Sequence, residues 1–139
     1  MRIHGIGIDI VETARIADSI ERFGERFLHR VYTDAERAYC DAMKHPARHY
    51  AARFAAKEAV SKTFGTGIGA EVNWNEIEIL REGSGEPRVV LHGHGRETAA
   101  RLGITRVFIS LSHADHYAAA NAVAVREETS APEAPTRQG

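Results

Sequence analysis

Asp9 stands inside an apolar run, Ile3 followed by Gly5-Ile6-Gly7-Ile8-Asp9-Ile10-Val11. A carboxylate in such a strand is costly unless a cation, a metal ion or several backbone amides pair with it. One solution is a buried ion pair to Arg15. The other is a second carboxylate: Glu58 joined to Asp9 would make a hard oxygen site of the kind Mg²⁺ accepts, with positions left for water and phosphate oxygens. That second arrangement points to phosphoryl chemistry.

Glu58 belongs to Lys57-Glu58-Ala59-Val60-Ser61-Lys62, which runs into Gly65-Thr66-Gly67-Ile68-Gly69. At about 100° per residue, Phe54, Lys57, Glu58, Ser61 and Lys62 fall on one half of a helix, and Ala52, Ala55, Ala56, Ala59 and Val60 on the half expected to pack inward. The charged half has a plain reading, a solvated face with one Glu58-to-Lys62 pair. The glycines favour a functional one, because backbone at Gly65 and Gly67 can approach a ligand while the lysines supply point charges for an anion. Glycines that follow a helix, rather than precede it, argue against a nucleotide loop at a helix N-terminus. GxxxxGK[ST] is absent, and Gly5-Ile6-Gly7 lacks the third glycine of a dinucleotide fingerprint.

Eight histidines include His45 and His49 at i, i+4, His92 and His94, and His113 and His116, without an HExxH context or cysteine support for zinc. They read as surface or turn residues, except that His113, following Ser110-Leu111-Ser112, is a candidate acid, base or ligand contact. Cys40 has no neighbour to lower its pKa and is a poor nucleophile.

The elements that must position these groups follow from pattern. The Asp9 run is expected to be a buried strand whose glycines mark a close backbone approach. Ala14, Ile16, Ala17, Ile20 and Phe23 have helical spacing between an N-cap at Thr13 and a stop at Gly24. Phe27 to Tyr32 is expected as a link, and Thr33-Asp34-Ala35-Glu36 has the order of a capping box opening a helix to about Met43. Pro46 and the alanine-rich stretch to Phe64 give the longest helix. Ile77, Ile79 and Val89 to Leu91 flank a Gly83-to-Pro87 turn cluster as a hairpin. Arg96 to Leu102 is a short helix, and Val107 to Ser112 and Tyr117 to Val125 are antiparallel strands. The architecture is α+β, with helices packed on an antiparallel sheet in a single domain over 1–126. The tail 127–139, with three acids, two prolines and no large apolar residue, is expected to be disordered.

A chain of 139 residues accommodates one such domain, and 43% apolar with 27% charged residues is ordinary globular usage. A net charge of -1 offers no broad basic field for nucleic acid, so any anion site is local. One cysteine excludes an internal disulfide, and the opening MRIHGIGIDIVE is expected to be neither a leader nor a membrane span. The expectation is a cytoplasmic protein without membrane or nucleic-acid partners.

Three segments together resemble the trimeric holo-[acyl-carrier-protein] synthases of the 4'-phosphopantetheinyl transferase superfamily. Gly7-Ile8-Asp9 with Arg15 six residues on resembles the first motif. Phe54-Ala55-Ala56-Lys57-Glu58-Ala59-Val60-Ser61-Lys62-Thr63-Phe64-Gly65-Thr66-Gly67 resembles the FxxKEAxxKAxGTG signature, with Thr63 for the usual alanine. Ser110-Leu111-Ser112-His113 followed by Tyr117-Ala118 resembles the closing strand motif. The resemblance implies that Asp9 and Glu58 hold Mg²⁺ on the diphosphate of coenzyme A, and that Asp9, Glu58 and Lys62 carry catalysis. It places Lys62, Arg53 from a neighbouring subunit, Gly65, Gly67 and His113 at coenzyme A, and Arg15 at an acidic acyl carrier protein. A homotrimer is implied, along with transfer of the phosphopantetheine arm to a carrier serine. Glu58, a water on the metal ion and Asp34 are candidates to take the serine proton. The rival from another class is a noncatalytic module binding coenzyme A or an acidic partner.

Overall fold

The computed structural model describes residues 1–127, so the expectation for the tail falls outside the described residues apart from Glu127. In chain order the elements are β1 (Arg2–Glu12), α1 (Thr13–Phe23), α2 (Glu25–Val31), α3 (Asp34–Asp41), α4 (Pro46–Thr63), a 3₁₀ turn at Trp74–Glu76, β2 (Ile77–Arg81), β3 (Pro87–Leu91), α5 (Gly93–Leu102), β4 (Ile104–His113) and β5 (Tyr117–Arg126). The α+β class holds, with two antiparallel sheets in place of one: β1-β5-β4, and the separate hairpin β2-β3.

The helix α4 lies across the three-stranded sheet because both surfaces are small. Ala118, Ala120, Ala122 and Ala124 of β5 are buried, as are Ala51, Ala52, Ala55, Ala56 and Ala59 of α4. At β1 the approach is closer still. A Cβ on Gly7 would overlap the Ala59 carbonyl oxygen, and one on Gly5 would overlap that of Thr63. The glycines therefore let two backbones touch, as their position in the strand implied.

Four expectations need correction. β1 is not buried on both faces, since Ile6, Ile8 and Ile10 are 67 to 70% exposed while Gly7 and Val11 point inward. Residues 25–31 form the helix α2 rather than a link, with Gly24 at φ 53° turning the chain between α1 and α2. Thr13 is the first residue of α1, not its cap; its backbone N–H donates to the His116 carbonyl at 2.9 Å. Finally, α4 has no broad solvated face: from Tyr50 to Thr63 only Phe54, Glu58 and Lys62 escape burial, and Lys57 is fully enclosed.

What encloses Lys57 is the capping box read at Thr33 to Glu36. The Thr33 backbone N–H donates to Glu36 Oε1 at 2.8 Å and the Glu36 N–H donates to Thr33 Oγ1, so both halves of the box form. The same Glu36 carboxylate meets Lys57 Nζ at 2.7 Å and accepts from the Ile79 N–H at 2.8 Å. Lys57 also donates to the Trp74 and Ile77 carbonyls, at 2.9 and 2.6 Å. Both charged groups are fully buried, and this pairing is what makes their burial tolerable. Burial pushes the Lys57 ammonium below its ordinary pKa, against the pull of Glu36. One network thus ties α3, α4, the 3₁₀ turn and β2 together.

Gly7→Ala should cost about 2 kcal/mol or more through backbone overlap, lowering the melting temperature by several degrees, while Gly83→Ala, with open space around the added methyl, should change little. Thermal denaturation of the two variants checks this, and a Gly7→Ala protein as stable as the parent contradicts the contact.

Candidate active site

The close approach of α4 to β1 brings Asp9, Glu58 and Lys62 together. Asp9 occupies the inward row of β1 with Gly7 and Val11, and its side chain is mostly shielded. Lys62 reaches over from α4, donating to the Ile8 carbonyl at 2.8 Å and standing 3.4 Å from Asp9 Oδ1. Among the described residues Lys62, and not Arg15, is the ion-pair partner of Asp9. Glu58 lies one turn before Lys62 on the same strip of the helix. Burial, and after it the charge of Asp9, hold its carboxyl above the usual value, with Lys62 and Arg15 acting the other way.

Two carboxylates on facing elements, the Glu58 carboxyl held above its usual value by burial and by the charge of Asp9, share one half-exposed ammonium and are undercompensated. A divalent cation fits that donor set. No third His, Cys, Asp or Glu completes a metal cage among the described residues, so the remaining coordination positions would fall to water and ligand oxygens. Beyond Lys62 the chain leaves the helix through Gly65 at φ 92° and Gly67 at φ 73°, left-handed conformations that glycine adopts without strain. Nothing lies within 4 Å of where their side chains would be, leaving backbone open to a ligand.

Arg53 and His113 sit in a second group on another side of α4. Arg53 is 1% exposed, its guanidinium carbon lies 4.1 Å from the Tyr39 ring centroid, and its Nε and Nη1 have no hydrogen-bond partner. His113 meets His49 edge to face, with ring centroids 4.8 Å apart. Arg48, paired at 3.1 Å with Asp115, and Arg81 complete the group. Arg48, His49 and Arg81 were not assigned from sequence to an anion site. The i, i+4 spacing of His49 and Arg53 was the available signal; Arg81 comes from β2 and had none.

Arg15 is exposed near the start of α1, within electrostatic reach of Glu58. Asp34 is exposed at the first turn of α3. Burial pushes the Cys40 thiol up to about 12, which keeps it protonated at neutral pH.

The raised Glu58 pKa carries a signed prediction. A carboxyl that ionises less readily folded than unfolded stabilises the fold below its unfolded pKa, and that contribution is lost as pH rises through the folded value. In EDTA, Glu58→Gln should therefore melt above the parent at neutral pH, with the advantage vanishing as pH falls below about 4.3. Melting curves across pH check this, and a Glu58→Gln variant less stable at pH 7 in EDTA contradicts it.

The profile of the 4'-phosphopantetheinyl transferase superfamily matches residues 5–122. The holo-[acyl-carrier-protein] synthase of Koribacter versatilis is 49% identical over 121 residues, covering 87% of this chain and 97% of that one. The holo-[acyl-carrier-protein] synthase structure from Neisseria meningitidis superposes with a TM-score of 0.83 at 35% identity, covering 89% of this chain and 99% of the other. The Helicobacter pylori synthase, solved in complex with coenzyme A, gives 0.77 at 33% identity and covers 86% and 99%. Because the match runs through the strand of Asp9, the helix of Glu58 and Lys62, and the strand of His113, the chain belongs to the 4'-phosphopantetheinyl transferase superfamily.

Proposed function

We propose that the chain is a holo-[acyl-carrier-protein] synthase, moving 4'-phosphopantetheine from coenzyme A to a serine of apo acyl carrier protein and releasing adenosine 3',5'-bisphosphate. The observation that carries this reading is the convergence of Asp9, Glu58 and Lys62 beside an open glycine turn, in a chain 49% identical to a synthase of that name. The serine oxygen bonds to the phosphorus bearing the pantetheine arm, the bond from that phosphorus to the adenosine bisphosphate oxygen breaks, and the serine proton passes to a base. Mg²⁺ held by Asp9 and Glu58 would neutralise charge on the diphosphate. Lys62 can exchange its Ile8 carbonyl for a phosphate oxygen, bringing a mobile positive charge to the reacting group. Gly65 and Gly67 admit the ligand against backbone, and Arg53 and His113 hold a more distant anionic part of coenzyme A. Glu58, with its carboxyl held above the usual value, is a candidate base within this group, and exposed Asp34 is another. Arg15, exposed beside these groups, faces the acidic carrier.

The working form proposed is a homotrimer. On the sheet face turned away from α4, the registered rows Ile6-Val123-Phe108, Ile8-Asn121-Ser110 and Ile10-Ala119-Ser112 lay out a surface with exposed isoleucines along one edge, apolar across the Ile6 row and interrupted by Asn121, Ser110 and Ser112. A surface of that character fits further copies of the chain better than water. The two groups around α4 support the same conclusion: Arg53 and Glu58 point about 140° apart round the helix, so one copy's Arg53 group completing another's Asp9 group is the simpler arrangement. Among the described residues no helix is long and apolar enough to cross a membrane; action in the cytoplasm belongs to the proposal.

Incubation with coenzyme A, Mg²⁺ and apo carrier protein should add one phosphopantetheine mass to the carrier serine, and Asp9→Asn or Glu58→Gln should lose most turnover. Binding of coenzyme A with no carrier modification by mass spectrometry overturns the enzymatic reading in favour of a binding module. Mixed oligomers of Arg53→Ala and Lys62→Ala chains should regain part of the activity that each variant lacks alone; no recovery in verified mixtures counts against a shared site. Arg15→Glu should raise the Michaelis constant for carrier protein far more than that for coenzyme A, with the defect shrinking at high salt. Equal effects on both constants would assign Arg15 to the phosphate site instead.

A further inference from the structure

Among the described residues β3 and β4 lie close together without pairing: β4 is the outermost strand of β1-β5-β4, and β3 belongs to the separate hairpin. A groove of about 690 Å³ runs between them, with Arg96 of α5 in its wall. Val89, Leu91, Val107 and Ile109 line it and pack against the core. Phe108, 39% exposed, also lines it, with the Arg106 guanidinium carbon 4.4 Å from the ring centroid. Each wall is a strand edge whose outward backbone groups have no strand partner, and proteins ordinarily cover or block such edges.

Charge in the groove is uneven. Arg96 and Arg106 are exposed and in no ion pair among the described residues, whereas Arg88 is held by Glu82. The groove's acid, Glu86, belongs to the hairpin turn. At the other end β5 stops at Arg126, opposite Ile104 of β4 and Arg2 of β1. Two arginines facing each other across a sheet repel, and the buried Nε of Arg126 has no hydrogen-bond partner. From this basic corner the sequence continues Glu127-Glu128-Thr129-Ser130-Ala131-Pro132-Glu133-Ala134-Pro135, outside residues 5–122 matched by the family profile.

We propose that the segment from Glu128 to Pro135 folds back over the start of β4 and docks in this groove, its acids on Arg96 and Arg106 and its prolines on the apolar wall. Strands lie about 4.8 Å apart and an extended residue spans about 3.3 Å, so two or three residues carry the chain across β4. Pro132 and Pro135 have the three-residue period of a polyproline II helix, which puts both rings on one face and Glu133 off it. A segment of that form docks on grooves containing an aromatic ring at low entropic cost, and its carbonyls accept from the outward N–H groups of the two edges. Its lack of large apolar residues prevents it from building a core of its own, but docking asks only for prolines and charges on a surface already formed. Tethering at Arg126 gives it an effective concentration of about millimolar, an advantage over a free peptide or a second copy. The docked segment lies toward Ile104, while Arg81 of the Arg53 group pairs with Pro87 at the far end of the hairpin strands, so docking leaves the candidate active site open.

Hydrogen–deuterium exchange of the full chain at low ionic strength, read on peptides covering 87–91 and 104–109, tests this. Those amides should exchange roughly fivefold more slowly in the parent than in the full-length variant Glu128→Lys/Glu133→Lys, the size that two exposed ion pairs supply, and the difference should vanish at about 0.5 M salt. Arg96→Glu/Arg106→Glu should lose the same protection, and the chain carrying all four substitutions should regain it. Pro132→Gly/Pro135→Gly should weaken protection by a route independent of charge. Unchanged exchange across α4 certifies that each variant is folded. Equal exchange at 87–91 and 104–109 in the parent and in both tail variants overturns the proposal, as does failure of the charge-exchanged chain to recover. Protection that survives in the tail variants and grows with protein concentration assigns the groove to a second copy and likewise overturns it. None of these outcomes bears on the proposed enzymatic activity.

Discussion

Everything near the candidate active site depends on how closely α4 lies to β1. That distance is governed by two missing side chains, at Gly5 and Gly7, which allow the backbones of strand and helix to meet at Ala59 and Thr63. A helix standing further off would carry Glu58 and Lys62 away from Asp9. The alanines along β5 and α4 extend the same low profile across the sheet, so the helix rests on a floor of small side chains. Such a floor buries less apolar area per residue than leucine would, and the protein gains proximity of charged groups in exchange for packing volume.

The close contact also explains why Asp9 is tolerated. A carboxylate facing a helix made only of alanine would be stranded, whereas here the helix brings an ammonium within 3.4 Å and leaves one edge open. Shielding stays incomplete, because Glu58 arrives on the same strip and adds a second negative charge. The opposite imbalance stands on another side of the same helix, where Arg53, Arg48 and Arg81 gather with a single acid. One helix thus separates an excess of negative from an excess of positive potential, and each favours a different part of a polyanionic ligand.

Particular residues show how far local pattern reaches. The capping box at Thr33 and Glu36, the proline start of α4, the glycine stop after α1 and the β2-β3 hairpin are written within a few residues and were legible there. So were Asp9, Glu58 and Lys62, since a carboxylate in an apolar strand and a charged helix ending in glycines each demand an explanation. The orientation of β1 was not legible. Isoleucines alternating with Gly5, Gly7 and Asp9 would ordinarily place the isoleucines in the core, but α4 needs the glycine side and the isoleucines turn outward. Lys57 was hidden for a different reason: its partner Glu36 already has a local role as a helix cap, and nothing in either segment reveals that they meet. The basic group draws on α4, β2 and β4, and only the pairing of strands brings Arg81 and His113 beside His49.

The Lys57–Glu36 network has a consequence for how this chain can vary. Replacing either charge alone leaves the other buried without a counterion, a loss of about 3 to 5 kcal/mol, against a typical total stability of about 5 to 15 kcal/mol. Replacing both with apolar groups of matching volume is often nearly neutral in energy, but Glu36 also accepts the Thr33 and Ile79 amides, and those donors would be orphaned. A route from the charged arrangement to an apolar one therefore crosses a deep fitness valley and needs further changes at α3 and β2 to come out level. The pair is held in place by the cost of leaving it as much as by anything it contributes, and substitutions will accumulate around this centre far more readily than through it.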